Sequence, residues 1–251
     1  MRALKSAIFW SYLALMAAIL FPIALGIWAL TRPFDKRSRL LHRFTCWWGY
    51  HYVEVCPFWK TEIIGREKIP NDGCFVYVAN HLSLGDILML FGIKKHFKWV
   101  SKSSVFKVPF IGWNMWLNNY VGLVRGDRKS IVEMFKACRQ HIERGSSVLL
   151  FPEGTRSKTG RLKSFKAGAF SLAVQTNVPI IPVILRGTYE ALPVSTWIFP
   201  HRKPLRVTVQ LLDPIDPAAA DNDPQKLMTL VHGIMLDALG EGEGRPNTDR
   251  I

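Results

Sequence analysis

The stretch "CFVYVANHLSLGDILMLFGI", residues 74 to 93, decides how this chain folds. Its first six residues form an apolar run typical of a buried strand, and residues 84 to 93 have the apolar spacing of a helix. Between the two patterns, His81 and Asp86 flank four small or apolar residues. Two titratable side chains therefore lie where a predicted strand ends and a predicted helix begins.

The same alternation continues through the chain after Trp59. We predict strands over 61–65, 74–79, 97–101, 121–125, 146–151, 180–185 and 205–212, and helices over 84–93, 110–118, 130–143, 165–175 and 227–238. Gly145 is expected to end the third of these helices. Interleaved strands and helices predict one α/β domain, residues 60–239, whose mostly parallel sheet carries helices on both faces. The polar tail, 240–251, is expected to be mobile.

Composition limits the classes of partner. The chain has 251 residues, 49% of them hydrophobic, which is enough to bury one full core. Its 33 Lys and Arg against 19 Asp and Glu give a formal charge of +14. This excess favours anionic partners such as nucleic acid, acidic lipid head groups, phosphorylated metabolites or an acidic carrier protein. The four cysteines are scattered without a CxxC pair, which indicates reduced thiols in a reducing compartment.

The N-terminal segment, residues 1–59, is predicted to anchor the protein to a membrane. Residues 7–30 contain no charge, and as a helix they would measure roughly 36 Å, enough to cross a hydrocarbon layer of about 30 Å. Trp10 and Trp28 lie near the two ends, as interfacial anchors do. Pro22 could kink the helix or turn it back, so that spanning the bilayer and dipping into one leaflet both stay open.

The flanks of this segment predict its orientation. More basic residues follow the apolar stretch than precede it, which places the following domain on the cytoplasmic face of the inner (plasma) membrane. A cleaved signal peptide is disfavoured because the stretch is long and no small-residue cleavage site follows it. The aromatic run 40–59 fits either a segment in the head-group layer or an ordinary helix of the core.

In a parallel sheet, reactive groups collect in the loops past the carboxyl ends of the strands. Residues five apart on one helix point about 140° apart, so His81 and Asp86 can meet only at a loop-to-helix junction. If Ser83 caps the helix, the Asp86 carboxylate can reach one ring nitrogen of His81 and leave the other free to accept a proton. The alternative is a capping loop in which Asn80, Ser83 and Asp86 satisfy helix amides and His81 only packs.

Two further loops carry basic residues. "FPEGTRS", residues 151–157, follows a predicted buried strand and leads into a basic run, which suits a phosphate monoester, although a solvated basic turn would look the same. "VGLVRGDR", residues 121–128, brings Arg125 to the end of another strand, and Lys102 could add charge to the same edge. Arg125 alone would be interpreted as a surface ion-pair partner, and its predicted role depends on the neighbouring loops.

Together these motifs resemble the glycerolipid acyltransferases, and the resemblance covers roughly residues 60 to 190 in the family's order. His81 to Asp86 matches the HX4D motif, "FPEGTRS" the third block, residues 102–128 the second, and "VPIIPV" (178–183) the fourth. The nearest match is to the bacterial 1-acylglycerol-3-phosphate acyltransferases. The resemblance implies that His81 is a general base with Asp86 as its partner and that Pro182 shapes the acyl-donor side. The residues that it implies for the substrate phosphate are Glu153, Gly154, Thr155, Arg156, Arg125 and Lys102.

The resemblance also implies a reaction. A fatty acyl group would pass from acyl-CoA or acyl-carrier protein, used as a co-substrate, to the free hydroxyl of lysophosphatidic acid at the membrane, with no cofactor and no nucleic acid involved. Another lysophospholipid or glycerol 3-phosphate could serve as acceptor. A thioesterase or lipase lacks support because no G-x-S-x-G motif occurs, and no nucleic-acid motif occurs either. The spacing of His81, Asp86 and Glu153 matches no common metal site.

Overall fold

The computed structural model describes residues 2–193, 196–201 and 203–241. The helices in these ranges are α1 (Arg2–Thr31), α2 (Arg39–Glu54), α3 (Asp86–Phe91), α4 (Ile111–Leu117), α5 (Arg128–Glu143), α6 (Gly168–Thr176), α7 (Thr188–Ala191) and α8 (Pro224–Leu239). The strands are β1 (Trp59–Ile64), β2 (Val76–Ala79), β3 (Phe97–Lys102), β4 (Val121–Leu123), β5 (Ser147–Leu150), β6 (Ile180–Arg186) and β7 (Leu205–Leu211). The predicted strands agree in place with the observed ones, while α3 is shorter than predicted and α7 was missed.

The seven strands of the described ranges form one sheet in the order β1-β7-β6-β2-β5-β3-β4. Strands β6, β2, β5, β3 and β4 are parallel to one another, whereas β7 is antiparallel to β6 and parallel to β1. The prediction of a mostly parallel sheet is confirmed. Every residue of β2 and β5 is buried, which explains why both read as unbroken apolar runs.

Helices cover both faces of the sheet. Tyr77 and Ala79 of β2 point into a core shared with α1, α2 and α3. Val76 and Val78, on the opposite face of the same strand, point into a core shared with α5, α6 and α8. This alternation follows from the period of two in a strand, and it places α1 and α5 on opposite sides of the sheet.

Because five strands run the same way, their carboxyl ends meet at one edge. The registers set Val78 of β2 opposite both Leu150 of β5 and Pro182 of β6. The loops that leave β2 and β5 are therefore neighbours, and those after β3 and β4 follow along the same edge. This edge gathers the motifs that the sequence spreads over residues 80 to 157.

The N-terminal helices pack against the domain. Helix α1 is long and apolar enough to cross a membrane, and it continues through Pro22, so the chain does not turn back there. Helix α2 buries one face, including Leu41 and Trp48, but leaves Trp47 half exposed. The interpretation of the aromatic run 40–59 as a helix of the core thus holds for the buried face of α2, while contact of its exposed face with the head-group layer stays a prediction.

Two smaller expectations concern the cysteines and the tail. All four cysteines are free thiols, and Cys46, Cys56 and Cys138 are buried. Helix α5 ends at Glu143, and Gly145 follows with a φ of 76°, a left-handed conformation that glycine adopts without strain. Of the predicted tail, 240–251, residues 242–251 lie outside the described ranges.

Candidate active site

The histidine and the aspartate of the opening stretch meet. His81 Nδ1 lies 2.8 Å from Asp86 Oδ2, with His81 in the loop after β2 and Asp86 in the first turn of α3. The Asp86 side chain is fully buried, while that of His81 is 16% exposed. With Nδ1 facing the carboxylate, Nε2 is the ring nitrogen left to exchange a proton with a bound molecule.

The carboxylate of Asp86 organises the whole loop. Its Oδ2 also accepts hydrogen bonds from the backbone amides of Leu82 at 2.7 Å and Ser83 at 2.8 Å. The expected capping of α3 by Ser83 is wrong. Gly85 is the N-cap residue of α3, and the Asp86 carboxylate accepts the hydrogen bonds of the loop amides. The Ser83 hydroxyl instead donates to the carbonyl of Leu192 at 2.8 Å. A carboxylate with three donors on one oxygen forces the loop into a tight turn.

Two residues that sequence reasoning did not assign to the site hold His81 in place. Asn80 is 1% exposed, and its side chain donates to the Leu185 carbonyl at 2.9 Å and accepts from the Leu185 amide at 2.7 Å. It thereby fixes the backbone of β2 to β6 just before His81. The ring of Phe151 stacks on the imidazole at 4.0 Å. A polar residue directly after a fully apolar strand was the available signal for Asn80.

The "FPEGTRS" loop is bonded to the same histidine. Glu153 Oε1 accepts from the His81 backbone amide at 2.7 Å, and the Ser157 amide donates to the His81 carbonyl at 2.7 Å. Glu153 is only 4% exposed, and its other oxygen accepts from the Lys163 amide at 3.3 Å. Its observed contacts are thus with the scaffold of the site, and its part in phosphate recognition stays a prediction.

Burial changes the acidity of Glu153. Loss of hydration raises the pKa of its carboxyl group to about 7, and the nearby charge of Asp86 adds a smaller effect in the same direction. The amides of His81 and Lys163 and the Lys163 charge oppose this rise. Glu153 therefore changes protonation near neutral pH, and its carboxyl group lies next to the backbone of His81.

The remaining residues of the loop lie closer to the surface, and lysine side chains lie beside them. Gly154 has a φ of 72°, and a Cβ there would lie 3.1 Å from Lys166 Nζ, so the turn needs glycine. Thr155 is exposed and its hydroxyl accepts from Lys163 Nζ at 2.6 Å. Arg156 is half-buried. The structure thus brings Lys163 and Lys166, two lysines of the basic run that follows the motif, to the predicted phosphate loop.

Lys102 and Arg125 lie farther along the same edge. Lys102 ends β3 and Arg125 follows β4, and both are exposed. Their strands are the second and third neighbours of β2 on one side, about 10 and 14 Å away at the usual strand spacing. Both residues belong to the edge that carries His81, although neither is a direct neighbour of it.

Pro182 is the predicted residue that the structure does not bring to this edge. It is buried within β6, opposite Val78, and its carbonyl accepts from the Leu212 amide at 3.0 Å. Within the described ranges, no group of three or more His, Cys, Asp or Glu side chains is arranged to hold a metal ion. The chemistry that this arrangement can perform is proton transfer by an oriented imidazole beside a cationic loop.

The chain is similar in sequence to known proteins. Residues 60–186 match the family model described as Acyltransferase. The chain is 42% identical over 165 residues to the 1-acyl-sn-glycerol-3-phosphate acyltransferase BAT2, chloroplastic, of Brassica napus, covering 65% of this chain and 47% of that protein. It is 30% identical over 202 residues to the 1-acyl-sn-glycerol-3-phosphate acyltransferase of Haemophilus influenzae, covering 78% and 80% of the two chains.

A solved structure is similar over the whole chain. The crystal structure of the 1-acyl-sn-glycerophosphate (LPA) acyltransferase PlsC from Thermotoga maritima aligns with a TM-score of 0.77 at 25% identity, covering 99% of this chain and 100% of that one. The plant and algal relatives are longer proteins. This chain spans 47% of the Brassica napus protein and 57% of a Chlamydomonas reinhardtii 1-acyl-sn-glycerol-3-phosphate acyltransferase.

We predict that Glu153→Gln changes how stability depends on pH. A carboxyl group whose pKa rises on folding binds more protons in the folded state, so it stabilises the fold at low pH and this stability is lost between about pH 4.5 and 7. Between pH 5 and pH 8, wild type should lose up to about 3 kcal/mol of unfolding free energy relative to Glu153→Gln. Chemical denaturation at the two pH values measures the difference.

The matched control is Glu143→Gln, which removes an exposed carboxylate of α5 paired with Arg139. This variant should keep the wild-type dependence on pH, because an exposed pair contributes little. Identical slopes for wild type and Glu153→Gln would show that the buried carboxyl group does not titrate in this range.

Proposed function

This chain belongs to the acyltransferase family, and on that premise we propose that it transfers a fatty acyl group from a thioester to the free hydroxyl of 1-acylglycerol 3-phosphate, giving phosphatidic acid. The observation that carries the proposal is the pairing of His81 Nδ1 with the buried Asp86 carboxylate at 2.8 Å. This pairing leaves Nε2 free at a sheet edge rich in cations. The similar proteins of Brassica napus and Haemophilus influenzae are named as 1-acyl-sn-glycerol-3-phosphate acyltransferases, which supports the choice of acceptor.

The proposed mechanism needs no protein nucleophile. His81 Nε2 takes the proton of the acceptor hydroxyl while that oxygen attacks the thioester carbonyl, and Asp86 stabilises the imidazolium that forms. The tetrahedral intermediate then collapses, the C–S bond breaks, and the departing thiolate recovers the proton from the imidazolium. Stacking on Phe151 and the hydrogen bonds of the loop hold the ring in the required orientation.

The phosphate of the acceptor would bind beside the base. Arg156 with Lys163 and Lys166 forms the near part of a cationic surface, and Lys102 and Arg125 extend it along the sheet edge. An arginine guanidinium and the lysine ammonium groups match a phosphate monoester in charge and in hydrogen bonding. Because the loop is bonded to both the N–H and the C=O of His81, a phosphate held there would fix the distance between the acceptor and the base.

The acyl donor is an acyl thioester, either acyl-CoA or acyl-carrier protein. Coenzyme A and acyl-carrier protein are both negatively charged, so the formal charge of +14 attracts either donor. The carbonyl carbon of a thioester is already activated, so orientation of the hydroxyl and removal of its proton supply the catalysis asked of the protein.

We also propose that α1 lies along the membrane surface and does not cross the bilayer. One face of the helix is buried against the domain between Ser6 and Ala24, and the buried residues of that face are Ser6, Phe9, Ala17, Leu20 and Ala24. The opposite face is exposed and apolar, with Leu4, Ile8, Leu15, Ile19, Ile23 and Leu30. A helix of about 45 Å that is held along one side can reach lipid only with its other side. The basic residues after it favour the cytoplasmic face.

A direct assay tests the proposed activity. The purified protein is incubated with one labelled acyl-CoA, and separately with the matching acyl-carrier protein, in the presence of lysophosphatidate, glycerol 3-phosphate, another lysophospholipid or water alone. Formation of labelled phosphatidic acid only with lysophosphatidate supports the proposal. Release of free fatty acid at the same rate with and without an acceptor would make the protein a hydrolase and end it.

We predict that His81→Ala lowers kcat by roughly 10²- to 10⁴-fold, which is the usual contribution of a general base, while lysophosphatidate still binds. Steady-state kinetics together with binding of the unreacted acceptor measure the two effects. His141→Ala is the matched control, because His141 lies near the end of α5, which leads into the start of β5 and so to the edge of the sheet opposite that of His81. A His81→Ala protein that kept near wild-type turnover would remove His81 from the mechanism.

We predict that Arg156→Ala raises the KM for lysophosphatidate severalfold more than the KM for the acyl donor, because the lost guanidinium would contact the acceptor phosphate. Arg139→Ala, which removes an exposed arginine of α5, should change neither value. A rise confined to the donor KM would place the acceptor phosphate elsewhere.

We predict that both ends of α1 face the same side of a vesicle. Single cysteines introduced at the exposed positions Lys5 and Lys36 should both react with a membrane-impermeant maleimide added outside vesicles that carry the catalytic domain outside. Labelling at Lys36 with protection at Lys5 until detergent is added would mean that α1 spans the bilayer.

A further inference from the structure

Helix α4 presents an exposed apolar surface that the proposed chemistry does not use. Trp116 is 75% exposed, Trp113 is 46% exposed and Val108, just before the helix, is 42% exposed. The two tryptophans are three residues apart and therefore lie on one side of α4. We call Val108, Trp113 and Trp116 the α4 face. Large aromatic side chains grouped at the surface mark a contact with another phase or molecule.

The rest of α4 holds this face in a fixed orientation. Asn114 and Met115 are buried, and Asn114 donates to the Thr45 hydroxyl of α2 at 3.1 Å. A Cβ on Gly112 would lie 2.3 Å from the Phe106 carbonyl oxygen, so the backbone packs closely there. Phe110 enters the helix with a φ of 61°, a conformation that a side chain tolerates only when its surroundings impose it. The exposure of the tryptophans is thus set by the packing beneath them.

The α4 face is continuous with the apolar surface of α1. The ring of Phe21, on α1, lies 5.4 Å from the ring of Trp113 and 6.0 Å from that of Phe110. Phe21 is on the flank of α1 between its buried and exposed faces. A lipid layer that covers the exposed side of α1 can therefore extend over Trp113 and, one helical turn further, over Trp116.

Exposed cations flank this apolar patch along the chain. Lys107 precedes Val108, while Lys102 and Arg125 lie at the ends of the two strands that α4 connects. Tryptophan side chains bordered by lysine and arginine match the head-group layer of an anionic membrane, where the indole rings reach the acyl boundary and the cations contact phosphate. A protein partner that covered the same apolar surface would have to bury these cations as well.

We infer that the α4 face is a second membrane contact of this protein, seated in the head-group layer of an anionic phospholipid bilayer. The inference rests on the proposed position of α1 and does not depend on acyl transfer. Since α4 joins β3 to β4, this contact brings Lys102 and Arg125 to the depth of the lipid phosphates. The two membrane contacts together would fix the tilt of the sheet edge, which α1 alone leaves free to rotate.

Quenching of tryptophan fluorescence by brominated lipids tests the inference. The full chain is reconstituted into phosphatidylcholine vesicles with phosphatidylglycerol, brominated either near the head group or deep in the acyl chains. The emission of Trp113 and Trp116 is obtained as the difference between wild type and the conservative double variant W113F/W116F. This difference should lose roughly half of its intensity with shallow bromines and clearly less with deep ones.

The matched control is Val132→Trp, which adds a tryptophan at a position of α5 that is 60% exposed and lies on the other side of the sheet. Its added emission should not be quenched. If the emission of Trp113 and Trp116 were unquenched in vesicles that quench the remaining tryptophans, the inference would be overturned. Concentration-dependent changes in this emission in detergent, with no quenching in vesicles, would assign the face to a second protein molecule and overturn it as well.

The outcome is separable from that of the proposed reaction. Quenching of Trp113 and Trp116 in a protein that makes no phosphatidic acid would refute the proposed activity and leave the membrane contact standing. Phosphatidic acid made by a protein whose α4 tryptophans stay in water would do the reverse. Since tryptophan-to-phenylalanine changes at exposed positions remove little packing, the double variant is expected to fold.

Discussion

The buried carboxylate of Asp86 is the constraint on which the rest of the site depends. A carboxylate without solvent must be surrounded by donors, and Asp86 Oδ2 has three of them, the imidazole of His81 and the amides of Leu82 and Ser83. Its other oxygen, Oδ1, has no partner among the described residues. One oxygen atom therefore draws three groups of the loop from 80 to 86 together. Any loop that moved His81 away would also leave that charge without one of its donors.

The second loop of the site is built onto the first. His81 is bonded to the β5 loop through both of its backbone groups, by Glu153 at its N–H and by the Ser157 amide at its C=O. His81 and the cationic loop are thus joined by two hydrogen bonds, and a shift of one would strain or break its link to the other. This arrangement buries Glu153, and the burial raises the pKa of its carboxyl group to about 7. A mobile linkage between the two loops would let a bound phosphate drift relative to the base, and small displacements of this kind cost rate steeply.

The sequence predicted those parts of the fold that depend on local pattern. Strands β2, β5 and β6 were predicted because burial on both faces requires unbroken apolar runs. The reversed direction of β7 relative to β6 could not be predicted, because strand direction depends on pairing between distant segments. The spacing at a loop-to-helix junction allowed the pairing of His81 with Asp86 but left a capping loop as an alternative, and the resemblance implied the pairing. The roles of Asn80 and Phe151 could not be predicted from the sequence. Asn80 bonds to Leu185, which is 105 residues away, and Phe151 reaches His81 from another loop.

The proposed membrane contacts and the sheet edge that carries His81 would solve one physical problem together. Moving an acyl chain from lipid into water costs about 0.8 kcal/mol per CH₂, so extracting a long-chain lysophospholipid would cost on the order of 10 kcal/mol. An enzyme that works at the depth of the lipid phosphates avoids this cost, since only the head group has to enter the site. Such depth cannot be set by α1 alone, because a helix lying in the surface permits rotation about its own axis. A second contact away from that axis removes the freedom, and α4 lies beside α1 on the segment that joins Lys102 to Arg125. The excess of positive charge along this edge then acts at the short range where screening by salt is weakest.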